Sequence, residues 1–143
     1  MAIAWLSFYL EYILALGVQT KYITMENIAS QEMISFVSKR IRKLSTTLRA
    51  LQPTSQVASV LQVMVSYLRE LCQKRRFKNV QHVLDVVGQL YEKGDREIRQ
   101  GIEYLFLHCL SRMDHLCDQK QWHLVINHLP LKLREVYILQ HIK

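Results

Sequence analysis

Glycine and proline are scarce, four and two in 143 residues. A sandwich or barrel of short strands needs a turn roughly every 8–12 residues, usually built on these two residue types. Their scarcity excludes such folds and points to long helices. Cysteine is scarce as well. Three residues cannot build a disulfide-dense secreted scaffold, and an odd number suits a reducing compartment. The chain has no glycine-rich phosphate loop, no HExxH, no CxxC and no GxSxG. The main nucleotide, zinc and serine-hydrolase signatures are thus missing.

Acid is missing from one region. Between Lys39 and Lys78 stand ten basic residues and a single acid, Glu70. The remaining residues hold nine basic and eleven acidic side chains. The formal charge of +7 is therefore a regional property rather than a general one. Half of the residues are hydrophobic and 22% are charged, enough for one packed core and against global disorder.

Apolar spacing of three and four recurs along the chain, and no alternating strand pattern of useful length occurs. The expected fold is all-α: a helical bundle of about six to seven helices with antiparallel hairpins and HEAT-like pairs at the C-terminal end. Two regions are expected. Residues 1–24 carry an apolar helix, Ile3 to Leu16, interrupted by Ser7 and Glu11. It is too short for a transmembrane span and lacks a basic n-region. It reads as a buried helix, as an anchor, or as an upstream extension with Met25 the true start. Residues 25–143 form a single helical domain.

Within that domain, Ile34, Val37, Ile41, Leu44, Leu48 and Leu51 give the stripe of one helix from about Asn27 to Leu51, stopped by Pro53. Lys39, Arg42, Thr46 and Arg49 share its outer face. Thr54 or Ser55 caps a third helix with Val57, Leu61, Met64, Leu68 and Leu71 inward. A fourth, from Asn79 to Glu92, buries Val80, Val83, Leu84, Val87 and Leu90. Gly94 is expected in the left-handed conformation that closes this helix, and Asp95 caps the next. That fifth helix carries Ile98, Ile102, Leu105, Cys109, Met113 and Leu116. A short sixth helix presents Trp122, Val125, Ile126 and Leu129, and Pro130 opens a seventh.

The stretch Leu90 to Ile98, followed by Tyr104-Leu105-Phe106-Leu107, resembles a family of small all-helical bacterial proteins of unknown function. Leu129-Pro130, Arg134 and Tyr137 are similar to that family's closing segment. His108 stands where the family pattern expects an acid. The resemblance covers about a third of the chain and consists of caps and core residues, so it transfers no catalytic residue. It implies a bacterial cytoplasmic protein, and families of this look include immunity-type proteins that neutralise toxins.

Chemical constellations are thin. Cys109, Cys117, His123 and His128 have a zinc-like His pair, but their cysteines lie too far apart for a zinc finger. Arg76–His82, Arg75–His82 and Arg134–His141 have the Arg–His spacing of HEPN-like helical ribonucleases, at a frequency near chance. Cys72 reads as an inert thiol. Arg96, Glu97, Arg99, Glu103, Arg112 and Asp114 read as a solvated face with helical ion pairs. No catalytic residue, metal or cofactor is expected. The strongest signal is a basic patch of Lys39, Arg40, Arg42, Lys43, Arg75, Arg76 and Lys78, merged at one end of a hairpin. The plain reading is a solvated face; as a binding site, its expected partner is an acidic protein. The second reading is nucleic acid, with Tyr67 and Phe77 stacking on bases. Membrane contact is expected only through Ile3 to Leu16.

Overall fold

The joint between two helices, Gly94-Asp95, is where distant parts of the chain meet. The computed structural model describes residues 28–51 and 57–141. Its helices are α1 (Met33–Arg40), α2 (Ser45–Arg49), α3 (Val57–Gln73), α4 (Phe77–Lys93), α5 (Arg96–Gly101), α6 (Leu107–Ser111), α7 (Gln119–Asn127) and α8 (Leu131–His141). Short 3-10 turns precede α1, join α1 to α2, and occupy Asp114–Leu116. A π-helical segment, Ile102–Phe106, joins α5 to α6. Among the described residues there is no strand, only an isolated bridge between Ile28 and Gly94. The fold is an all-α bundle, and one apolar cluster runs from Ile28 to Leu133. Ile3 to Leu16, Pro53, Thr54 and Ser55 lie outside the described residues.

The predicted stripes of α3 and α4 are buried throughout. The helix expected from Asn27 to Leu51 is instead broken at Ile41, whose φ of −121° and ψ of 82° leave helical geometry. Val37, Ile41, Leu44 and Leu48 all stay buried across the break. The stripe thus bends around the core instead of following a straight axis. Ile41 N still donates to the Val37 carbonyl at 2.7 Å, and Leu44 N donates to the Ile41 carbonyl at 3.0 Å. The break therefore leaves these two groups paired.

The second departure lies in the long α5–α6 rod. A π turn inserts one residue into the helical ladder, which rotates every later side chain by about 100°. Leu105 and Cys109, expected inward, are only partly buried. Phe106, Leu107 and Leu110 take the core instead. The rod ends at Ser111 rather than near Asp118. Asp118 caps α7, accepting from Gln121 N at 2.7 Å.

The third correction concerns Gly94. Its φ of −72° and ψ of 157° are extended, not left-handed. Space, not handedness, selects glycine. A Cβ there would collide with the Leu90 carbonyl oxygen and lie 2.7 Å from Ile98 Cγ2. Extended backbone at this point lets Ile28 pair alongside. Ile28 N donates to the Lys93 carbonyl at 2.6 Å, and Asp95 N donates to the Ile28 carbonyl at 2.9 Å. Asp95 caps α5 as expected, accepting from Ile98 N at 3.0 Å. Its second carboxylate oxygen accepts from Ser30 N at 2.8 Å.

Gly94→Ala should therefore destabilise the protein by about 1–3 kcal/mol, the range for overfilling a packed site. Gly94→Asn should be no better than Ala, because the obstacle is steric. A left-handed glycine would tolerate Asn better than Ala. Thermal or urea unfolding of both variants decides between the two.

Candidate functional site

The predicted basic patch divides into three. Lys43 and Arg76, from opposite parts of the basic segment, both act electrostatically on Glu70. Glu70 accepts from Lys74 Nζ at 2.7 Å. That contact holds its carboxyl below the usual carboxylate range, and Lys43 and Arg76 act in the same direction. Lys43 Nζ also lies 5.9 Å from the centroid of the Tyr67 ring. Beside these cations is a groove of about 490 Å³ whose lining includes Leu51, Val63, Tyr67 and Glu70. Leu51, Val63 and Tyr67 are partly buried against the core, and Thr47, Ser59, Gln62 and Ser66 make the rest of the lining largely polar.

Arg40 is occupied elsewhere. Its Nε donates to Gln89 Oε1 at 3.0 Å, and its guanidinium lies 3.5 Å from the centroid of the Phe36 ring. The Arg40 carbonyl lies 2.7 Å from His82 Nε2. Arg40 thus ties α1 to α4. Arg75 has a backbone role. Among the described residues it is the non-glycine residue with positive φ, at 58°. Arg75 N donates to the Cys72 carbonyl at 3.1 Å, and Arg76 N donates to the Leu71 carbonyl at 2.9 Å. This pair of bonds is the Schellman closure of α3, with arginine where glycine is the usual choice. Lys78 is exposed on the first turn of α4.

Lys39 and Arg42 form the third part. With Arg49 they line a separate groove of about 760 Å³, whose lining also includes Ser35, Ser38 and Ser45. The two grooves share no lining residue. The hydroxyls were not anticipated from sequence. The available signal was the run Ser35, Ser38, Lys39 and Arg42, spaced as one helical face.

All seven patch residues fall inside the span matched by a family model. The model of the domain of unknown function DUF7674 covers residues 34–143. The chain belongs to this family. No curated protein and no solved structure matches it. Membership in DUF7674 carries the helical domain from α1 to the end of the chain but assigns no activity.

The other constellations disperse in this DUF7674 chain. Among the described residues no group of three His, Cys, Asp or Glu side chains could hold a metal ion. His128 Nε2 instead meets Asp85 Oδ1 at 3.1 Å, and Cys117 contacts Cys72. His82 Nε2 meets the Arg40 carbonyl. Arg134 donates to the Asn127 and Leu129 carbonyls and so closes α7. The side chain of His141 lies outside the described residues. Glu103 accepts from the Tyr91 hydroxyl at 2.5 Å, and Arg99 lies 5.4 Å from the Tyr91 ring centroid. These two contacts join α5 and the π segment to α4, where helical ion pairs are expected. Asp114 and His115 are an exposed pair 4.0 Å apart. No described helix is long and apolar enough to cross a membrane.

Burial pushes the Cys72 thiol up from 9.0 to about 12, and the neighbouring Cys117 acts in the same direction. A raised pKa favours the neutral thiol in the folded state. Its contribution to stability is complete below pH 9.0 and is lost as pH climbs towards about 12. Native protein at pH 8 should alkylate Cys72 with iodoacetamide only as fast as it unfolds. Peptide mass mapping that finds Cys72 modified at the rate of a free thiol would contradict its burial.

Proposed function

We propose that this DUF7674 chain is a non-enzymatic interaction protein that binds an acidic protein partner through the groove beside Glu70. The observation that carries this reading is the position of Lys43 near the Tyr67 ring, at the edge of a groove whose lining includes Leu51, Val63 and Tyr67. Protein interfaces combine charge complementarity at the rim with apolar anchors at the centre. A phosphate backbone needs the cations and makes little use of such apolar side chains. Both aromatics suggested for base stacking are engaged: Phe77 packs against the core, and Lys43 lies near the face of Tyr67. These contacts favour protein over nucleic acid. The resemblance to immunity-type proteins makes a toxin the natural candidate for the partner.

Lys43→Glu with Arg76→Glu tests the reading. Both side chains are exposed, so fold stability should change little. Arg40 and Arg75 are kept, because each holds structure. Immobilised wild-type chain should capture an acidic protein from a lysate of its native host, and the double variant should lose it. Capture should survive moderate salt, because apolar anchors resist screening. Recovery of nucleic acid alone, released by modest salt, would reject the proposal. RNA cleavage that disappears in His82→Ala would replace it with a ribonuclease.

A further inference from the structure

We propose that Cys72 and Cys117 form a reversible disulfide when the protein meets a peroxide, a thiol switch that ties the end of α3 to the turn preceding α7. Both cysteines are free thiols, and their side chains hydrogen-bond to one another. The backbone brings them together as well. α3 packs against the 3-10 turn Asp114–Leu116. Cys117 closes that turn, its N–H donating to the Asp114 carbonyl at 3.3 Å. Cys72 is the last residue but one of α3. Two sulfurs that the fold already holds side by side can be bridged without large backbone movement. The pair lies apart from the groove beside Glu70 and does not depend on its partner.

The two thiols differ in exposure, and the difference sets their roles. Cys72 is fully buried, whereas Cys117 is half-buried and is followed by the exposed Asp118. Peroxide therefore reaches Cys117 first. Burial, the largest influence, pushes the Cys117 thiol up, and Asp118 adds to it; the hydrogen bond from Cys72 and the Arg75 cation pull it back. The net rise keeps the thiolate scarce, so the pair answers sustained oxidation and ignores a brief pulse. The Cys117 thiolate attacks one peroxide oxygen and the O–O bond breaks. Hydroxide leaves and takes up the thiol proton as water, and Cys117 becomes a sulfenic acid. The Cys72 sulfur then attacks the Cys117 sulfur. The S–O bond breaks, the S–S bond forms, and the oxygen departs with the Cys72 proton as a second water. Two thiols and one peroxide thus give one disulfide and two waters, and a thiol reductant reverses the change. This second step needs no solvent access to Cys72, because its partner is already in contact.

The test treats the full chain with hydrogen peroxide, blocks the remaining thiols with N-ethylmaleimide in urea, and maps the unreduced peptides by mass. A Cys72–Cys117 cross-linked peptide should appear, with Cys109 recovered as a blocked free thiol. Closing a loop of about 45 residues should raise the thermal midpoint by about 5 °C or more, and dithiothreitol should reverse the rise. Cys117→Ser, a change at a half-buried position, should abolish both the cross-link and the shift. Cys72→Ala should leave the Cys117 sulfenic acid unresolved, so that dimedone labels it about tenfold more than in the wild type. Wild-type Cys117 oxidised to sulfinic acid beside an unchanged Cys72 thiol would overturn the proposal. So would a cross-link through Cys109 or between two chains, or a Cys72–Cys117 bond that forms only in the urea-unfolded chain.

Discussion

Asp95 uses both carboxylate oxygens, one on the α5 backbone at Ile98 and one on the distant Ser30. With the two backbone bonds between Ile28 and the 93–95 joint, it makes a four-bond junction of three chain segments. The junction demands a residue without Cβ immediately before Asp95, because Leu90 and Ile98 approach the Gly94 backbone closely. Glycine supplies the space and aspartate the two acceptors. The direction in which α5 leaves α4 depends on this pair, and so does the placement of the segment leading into α1.

Two irregularities then shape the helices that the junction positions. The break at Ile41 lets one apolar stripe wrap the core, and the π segment after Gly101 rotates the later half of its rod. Gly101 sits at the close approach to α3, where a Cβ would lie 2.9 Å from Leu61 Cδ1 and Val57 Cγ1. The rod therefore packs closely there and must re-aim its side chains beyond it. Phe106, Leu107 and Leu110 are the ones turned inward. Helices accept such defects when tertiary burial gains more than a distorted backbone turn loses.

The same irregularities partition the charge. A continuous helix over Asn27 to Leu51 would set Lys39, Arg42 and Arg49 on one straight stripe. The bend at Ile41 turns that stripe into the wall of a groove. Lys43, one residue on from Arg42, faces Tyr67 and the end of α3. Arg40 and Arg75 leave the patch for structural reasons, one as a tie to α4 and the other as the closing residue of α3. What looks in sequence like one basic segment is thus spread over separate surfaces, and two of its arginines are structural.

Composition and periodicity sufficed for the all-helical class, for the inward faces of α3 and α4, and for the cap at Asp95. Each is a local or one-face property, readable from spacing of three and four and from a side chain's reach to its own backbone. The conformation of Gly94, the break at Ile41 and the shift at Leu105 were not legible, because each answers to a neighbour far along the chain: Ile28, the core, and α3. The basic patch shows the same division. Its residues and their net charge are written in the sequence. Which of them meet Glu70, which line a groove with Ser38, and which are consumed in holding the fold were decided by packing, since direction around a helix changes by about 100° with every residue.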